Sequence, residues 1–169
     1  MQRVSEDCQL HKDRRIRDFP SSVQRWQELA YINSTVNFGI VPKGPPASQH
    51  DLEWEIFPYD GNCGDYAVTK RHLLLRAGWP SSALLLAEVV IRLTAEHHLV
   101  LLVREARGVL VLDNLSPVVL SLMDALDRYI ARSQEQICSV GRERYRLLKR
   151  PRRERIEVGK SSNDIKPDG

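Results

Sequence analysis

The sequence predicts an α+β domain in which N-terminal helices pack on an antiparallel β-sheet. Two observations predict this fold class: helix-like segments come first along the chain, and strand-like segments then follow one another directly. Regular alternation of strands and helices would instead indicate a parallel sheet. The chain has 169 residues, 42% of them hydrophobic, which is enough for one domain with a core and terminal extensions.

The first predicted helix begins after Ser21 or Ser22, either of which can act as its N-cap. Its apolar residues recur at spacings of three and four, so one face is expected to be buried. The helix ends before Pro42, and residues 42–52 are rich in Pro, Gly and Ser, which predicts a loop. A turn is expected at Asp60-Gly61.

A second helix is predicted from about Cys63 to Ala77. Asn62 can serve as its N-cap, and Asp65 lies in the first turn, where a carboxylate interacts favourably with the helix dipole. Gly78 suits the position just after the helix end.

Strand-like segments fill the next part of the chain, where β-branched and leucine residues form short apolar runs. Gly108 predicts a tight turn between two of them. A short amphipathic piece, Leu120–Leu126, precedes a final strand. The predicted strands are Leu84–Leu93, His98–Arg104, Val109–Asp113 and Tyr129–Ser133.

Composition divides the chain into three parts. Residues 1–20 form a polar N-terminal segment, residues 21–137 form the domain, and residues 138–169 form a basic tail that we expect to be mobile. Between Arg142 and Arg155 there are eight Lys or Arg residues and two acidic residues. Such a cluster can contact nucleic acid or another anionic partner, although a solvated terminus is the simpler interpretation and binding to nucleic acid is not favoured.

Several classes of protein are disfavoured by the sequence. Three cysteines do not form a disulfide framework, and none of them lies in a zinc-binding pattern. No apolar run is long enough for a membrane span. The first residues, 1–7, contain no apolar stretch typical of a secretory signal, which predicts a cytoplasmic protein for the chain as written, while a start codon further upstream would leave the same sequence. The oligomeric state is left open.

Cys63 is the first candidate catalytic residue because it lies at a helix start. Unsatisfied N–H groups and the helix dipole there favour the thiolate, which is the reactive form of a cysteine. The same N–H groups can stabilise an oxyanion. A cysteine in this position can also be a small buried residue with no chemical role.

His98 and Asp113 are the candidate base and its orienting acid. If Glu105 and Ala106 form a two-residue loop, His98 lies directly opposite Asp113 in the hairpin. A four-residue loop at 105–108 instead makes the two residues diagonal neighbours on one face, because the register has a period of two. Each residue also has a simpler interpretation: His98 as a structural or solvated side chain, and Asp113 as part of a turn.

The segment Asp60-Gly61-Asn62-Cys63-Gly64-Asp65-Tyr66-Ala67 resembles the nucleophile segment of the bacterial transglutaminase-like cysteine protease family. The stretches Ala77–Pro80, His98–Leu101 and Leu112–Asn114 are similar to further motifs of that family. The resemblance implies a papain-like, transglutaminase-like fold and a Cys-His-Asp triad formed by Cys63, His98 and Asp113. It also implies a protein or peptide substrate and an exported, periplasmic location.

The segment departs from the family beside the nucleophile. Some relatives have acidic residues on both sides of the cysteine and bind calcium there, whereas this chain has Asn62 and Gly64. Removing two carboxylates removes most of the charge of such a site, so we expect no cofactor and weak or no calcium binding. Asp60 and Asp65 are the acidic residues that remain.

Two further hypotheses stay open at this stage. Trp54 lies a short way upstream of the nucleophile, where the family often has a tryptophan; its indole N–H can donate to an oxyanion, but a core position is the favoured interpretation. The second is a catalytically weak pseudoenzyme that serves as a binding module. Hydrolysis and acyl transfer to an amine use the same three residues, and the sequence does not distinguish them.

Overall fold

A computed structural model describes residues 20–44 and 54–133 of the chain, and the predicted α+β class is confirmed. Two long helices precede a five-stranded antiparallel sheet. The elements are α1 (Val23–Gly39), β1 (Val41–Pro42), β2 (Asp60–Gly61), α2 (Cys63–Arg76), β3 (Leu84–Ile91), β4 (His97–Glu105), β5 (Gly108–Leu112), β6 (Leu120–Ser121), α3 (Leu122–Ala125) and β7 (Tyr129–Ser133). The strand order in the sheet is β6-β5-β4-β3-β7.

The helix ends agree with the predicted caps. The Ser22 side chain accepts a hydrogen bond from the backbone N–H of Arg25 at the start of α1 (3.2 Å). At the start of α2, Asn62 and Asp65 form a reciprocal capping box, in which each side chain accepts from the other residue's backbone. Gly78, at φ +86°, follows the end of α2 in a left-handed conformation that glycine adopts readily.

Both faces of the sheet are covered by apolar residues. One face packs against α1 and α2 through a cluster that includes Leu29, Leu74, Leu101 and Leu112. The other face carries a second cluster, and residues of the short helix α3 lie against it. Successive residues of β4 therefore alternate between two buried layers, which explains why this strand is almost continuously apolar.

The β4–β5 hairpin has the second of the two predicted registers. Arg104 pairs with Val109, and Glu105 pairs with Gly108, so that Ala106 and Arg107 form the turn. The two-residue loop considered at Glu105-Ala106 is therefore wrong, because the turn lies one residue later and shifts the register by two residues. The alternative loop at 105–108 has the observed register, but Glu105 and Gly108 are paired, so the turn has two residues rather than four.

The predicted turn at Asp60-Gly61 is instead a short strand. Residues 60–61 pair in parallel with Val41–Pro42, and this pair is flanked by hydrogen bonds from Val41 N–H to the Tyr59 carbonyl (2.9 Å) and from Lys43 N–H to the Gly61 carbonyl (2.8 Å). The pairing connects the end of α1 to the segment that leads into α2. Sequence patterns do not reveal two-residue parallel pairs, because such pairs have no alternation to recognise.

Some predictions concern residues outside the described ranges. The predictions for the N-terminal segment, for most of the loop at 42–52 and for the basic tail concern such residues. The proposed domain boundaries therefore remain predictions. In the part of the chain that the structure describes, no helix combines the length and the apolar character needed to cross a membrane.

Candidate active site

The three predicted site residues lie at the same end of the sheet. His98 is near the start of β4, and Asp113 directly follows β5, which runs antiparallel to β4. The N-terminus of α2 places Cys63 at this end, because its side chain packs against the cluster that contains Leu99. The fold therefore brings the ends of two strands and the start of one helix together at a single position.

His98 and Asp113 form a buried hydrogen-bonded pair. His98 Nε2 lies 2.7 Å from Asp113 Oδ1, and the two side chains are 6% and 0% exposed. Burial alone would lower the pKa of His98, but its hydrogen bonds with Asp113 and Cys63 raise that pKa to about 9. Burial alone would raise the pKa of Asp113, but His98 and the Leu115 N–H hold it below its ordinary value.

Cys63 is half-buried, and His98 is the side chain that most lowers the pKa of its thiol. Because Nε2 of the imidazole faces Asp113, Nδ1 is the ring nitrogen available to the sulfur. Burial raises the pKa of the Cys63 thiol, but His98 and the backbone N–H groups of Leu99 and Gly64 outweigh it, so the net pKa is lowered. The geometry favours a thiolate beside an imidazolium.

The neighbouring histidine is in a different environment. His97 pairs with Glu88 on an exposed part of the sheet, and the two side chains are 57% and 42% exposed. Adjacent residues of a strand point to opposite faces, so His97 cannot share the position of His98. His98 is therefore the histidine that the structure brings to Cys63 and Asp113.

Tyr129 contacts two residues of this group, and no pattern in the sequence indicates this role. Its hydroxyl donates a hydrogen bond to Asp113 Oδ2, and its ring stacks on the His98 imidazole with centroids 6.0 Å apart and planes at 26°. Tyr129 begins β7, which pairs with the far side of β3. Only the sheet order brings it near Asp113, and that order cannot be read from residue spacing.

Trp54 packs directly over Gly64, the residue that follows Cys63. A Cβ at position 64 would lie 2.1 Å from Trp54 Nε1 and 2.4 Å from Trp54 Cδ1, so only glycine leaves room for the indole. Trp54 is partly buried against the main core cluster, in agreement with the core interpretation. Its indole N–H also lies beside the start of α2.

Lys70 is a buried cation on the same helix as Cys63. Its side chain is fully buried, and its Nζ has no hydrogen-bond partner among the described residues. The ammonium lies 6.0 Å from the centre of the Tyr66 ring. Burial lowers the pKa of Lys70 to about 7, and the charge of Asp113 partly opposes that shift.

Comparisons with known proteins identify the family of the chain. The profile of the bacterial transglutaminase-like cysteine proteinase family, abbreviated BTLCP, matches residues 1–142. A search of curated proteins finds no match. Among solved structures, the chain is similar to LapG of Legionella pneumophila in its calcium-bound form, with 20% identity, a TM-score of 0.57, and coverage of 78% of this chain and 69% of that one.

Two further LapG structures from the same organism also match. One is described without a treatment and the other as EGTA-treated, and their TM-scores are 0.54 and 0.53. Both are 20% identical to this chain and cover 75% of it, and the chain spans 65% of their length. At this identity the likeness concerns the fold, which is of the transglutaminase-like type.

Proposed function

Because the chain belongs to the bacterial transglutaminase-like cysteine proteinase family, we propose that it cleaves a peptide bond with Cys63 as nucleophile, His98 as acid and base, and Asp113 as the orienting acid. The single observation that carries these roles is the buried, hydrogen-bonded pair of His98 and Asp113, whose imidazole lowers the pKa of the Cys63 thiol. A protease of this kind acts on protein or peptide substrates.

In the acylation step, the Cys63 sulfur attacks the carbonyl carbon of the scissile bond. His98 holds the proton from the thiol and gives it to the departing amine, which leaves a thioester on Cys63. In the second step His98 takes a proton from water as the water oxygen attacks the thioester carbonyl. The C–S bond then breaks, which releases the carboxylic acid product and leaves the Cys63 thiolate beside the protonated His98. Asp113 stays ionised throughout and orients the ring through its 2.7 Å contact with Nε2.

The helix start supplies donors for the negative charge that develops on the carbonyl oxygen. The capping box uses the backbone N–H groups of Asn62, Gly64 and Asp65. We assign the oxyanion contact to the remaining first-turn donor, the N–H of Cys63 itself, because the dipole of α2 strengthens it.

The burial of the triad favours an enzyme over a pseudoenzyme. A buried carboxylate and imidazole cost free energy unless they are paired, and their pairing beside the Cys63 thiol is what catalysis requires. His98 and Asp113 are both buried, and each hydrogen bonds to the other.

Calcium does not fit the nucleophile segment of this chain. Both carboxylate oxygens of Asp65 already accept backbone hydrogen bonds, from Glu55 and Asn62, each 2.8 Å long. Asp60 lies 3.5 Å from the Lys43 ammonium, and Trp54 fills the space beside Gly64. Calcium requires six to eight oxygen ligands.

Nor do the described residues contain a group of three His, Cys, Asp or Glu side chains that could hold a metal ion. The occupied Asp65 oxygens, the Asp60–Lys43 pair and the position of Trp54 support activity without calcium, although one LapG structure is described as calcium-bound.

The proposed activity is tested with a library of fluorogenic peptides. The wild-type chain is expected to cleave a subset of them, and Cys63→Ala is expected to reduce cleavage to background. Cys8→Ala and Cys138→Ala are the matched controls, because they remove a thiol elsewhere in the sequence. Cleavage that survives in Cys63→Ala would exclude Cys63 as the nucleophile. Incorporation of a labelled amine instead of hydrolysis would indicate acyl transfer by the same residues.

A further inference from the structure

Tyr129 completes the hydrogen bonding of the Asp113 carboxylate. Oδ1 accepts from His98 and from the Leu115 N–H (3.0 Å), and Oδ2 accepts from the Tyr129 hydroxyl. Asp113 is 1% exposed, so Oδ2 would be an unpaired buried acceptor without the hydroxyl. An unpaired buried acceptor loses its hydration without compensation, which makes this donor important for the carboxylate's position.

The same side chain also restrains the imidazole. The Tyr129 ring stacks on His98, and Tyr129 is itself 4% exposed within the second core cluster, beside Val89 and Val100. Its ring therefore has a fixed position from which to limit rotation of the His98 ring. One residue thus contacts both the orienting acid and the base.

The hydroxyl keeps its proton in this environment. Burial and the Asp113 carboxylate raise the pKa of Tyr129 far above its usual range, and the nearby charge of Arg128 opposes this only in part. The phenol is therefore a donor at every pH at which the triad works. Its O–H dipole directs positive potential towards Asp113 and, beyond it, His98.

We propose that Tyr129 is a positioning residue of the triad, fixing the Asp113 carboxylate through its hydroxyl and the plane of the His98 imidazole through its ring. This proposal rests on the proposed function. Tyr129 does not touch the sulfur or the substrate carbonyl in it; it acts through Asp113 and His98. It also makes β7 part of the active site, although the predicted triad ends at position 113.

Tyr129→Phe tests the hydroxyl while it keeps the ring. Tyr66→Phe is the matched control, since Tyr66 is also a buried tyrosine, 3% exposed, and its hydroxyl donates to the Ile40 carbonyl (2.6 Å) rather than to the triad. Both variants lose one buried hydrogen bond and are expected to lose similar stability. They differ in whether the lost bond reaches Asp113.

The readouts are peptide hydrolysis and an NMR titration of the His98 imidazole. Tyr129→Phe is expected to lower kcat by about tenfold with little change in KM, since the substrate does not contact Tyr129. Loss of the hydroxyl dipole leaves a more negative electrostatic potential at His98. The midpoint of the His98 titration is therefore expected to rise by about half a pH unit. Tyr66→Phe is expected to change neither quantity.

A double variant that also carries Asp113→Asn distinguishes an effect transmitted through Asp113 from a general loss of packing. With Asp113→Asn already present, adding Tyr129→Phe is expected to cause no further shift in the His98 midpoint, because the carboxylate through which the hydroxyl acts is gone. The proposal is overturned if Tyr129→Phe titrates like the wild type, or if Tyr66→Phe shifts His98 equally. The titration needs no substrate, so it gives its result even if the protein proves to hydrolyse no peptide.

Discussion

His98 Nε2 lies 2.7 Å from Asp113 Oδ1, although the two residues are not directly opposed in the β4–β5 hairpin. Leu101 pairs with Leu112, so continuation of the ladder puts Asp113 opposite Val100 and makes His98 its diagonal neighbour. Diagonal neighbours share a face and lie within reach of long side chains. The imidazole is long enough to span this diagonal, and so the pair forms.

Asp113→Ala is expected to lower kcat/KM by at least about 100-fold, because His98 loses the partner that orients it. The hydrogen bond with Asp113 raises the pKa of His98 to about 9, so the variant should titrate His98 at lower pH. Asp124→Ala is the control, since Asp124 is an exposed residue of the short helix α3, where its carboxylate accepts a hydrogen bond from the Ser121 hydroxyl. Unchanged activity in Asp113→Ala would remove Asp113 from the triad.

The His98–Asp113 pair also makes stability depend on pH. The pKa of His98 in the folded protein lies above its ordinary value of 6.5. The stabilisation that the pair contributes to the free energy of unfolding is therefore fully present below pH 6.5. It is lost as the pH rises through about 9. Denaturant unfolding of the wild type and Asp113→Ala across this range provides the measurement, and a difference that does not change with pH would contradict the shifted pKa.

Removal of calcium is expected to leave the activity unchanged. The Asp65 carboxylate oxygens already accept hydrogen bonds from the backbone N–H groups of Glu55 and Asn62, and Asp60 is paired with Lys43. Hydrolysis is measured with EGTA and with added calcium, and binding is measured by calorimetric titration. Submicromolar calcium binding, or activity lost in EGTA and restored by calcium, would show that the segment rearranges to bind the ion.

Gly64→Ala is expected to displace Trp54 and to destabilise the protein by about 1–3 kcal/mol, because the new Cβ would overlap the indole. Gly39→Ala is the matched control, since a Cβ there meets nothing within 4 Å. Thermal unfolding provides the measurement. Combining Gly64→Ala with Trp54→Leu should recover part of the loss, whereas additive losses would contradict the contact.

Lys70→Met is expected to stabilise the protein at neutral pH, because it replaces a buried ammonium that has no hydrogen-bond partner among the described residues. Burial lowers the pKa of Lys70 from 10.5 to about 7, so the unfolded chain binds more protons between these values. Wild-type stability therefore gains up to about 1.4 kcal/mol per pH unit from Lys70 in this window.

The advantage of Lys70→Met is thus largest below pH 7 and shrinks as the pH approaches 10.5. Lys43→Met, at a side chain that is 64% exposed, should show no such trend. Parallel stability curves for Lys70→Met and the wild type would mean that Lys70 titrates normally in the fold.

The sequence predicted those parts of the site that depend on local rules. Helix capping places Cys63 at the start of α2, and the two-residue period of a strand puts His98 and Asp113 on one face for either even-length loop. The wrong loop changed the register by two residues and left the shared face intact. Sequence similarity then assigned the roles of the three residues.

The parts that could not be predicted depend on contacts between distant segments. Tyr129 reaches Asp113 because β7 pairs with β3, and Trp54 reaches Gly64 because the backbone of residue 55 hydrogen bonds to Asp65. Neither contact has a fixed spacing along the chain. The two-residue pairing of β1 with β2 could not be predicted for the same reason.

The pairing of Cys63 with His98 is tested most directly by the pH dependence of Cys63 alkylation by iodoacetamide. The modified peptide is identified by mass spectrometry, because the chain has two other cysteines. In the wild type, the midpoint of the alkylation rate as a function of pH should lie below that of an ordinary thiol, since His98 and the helix start lower the pKa of Cys63. In His98→Ala the midpoint should move back up. A Cys63 that reacts like a free thiol, with the same midpoint in His98→Ala, would contradict the assignment of Cys63 and His98 as a catalytic pair.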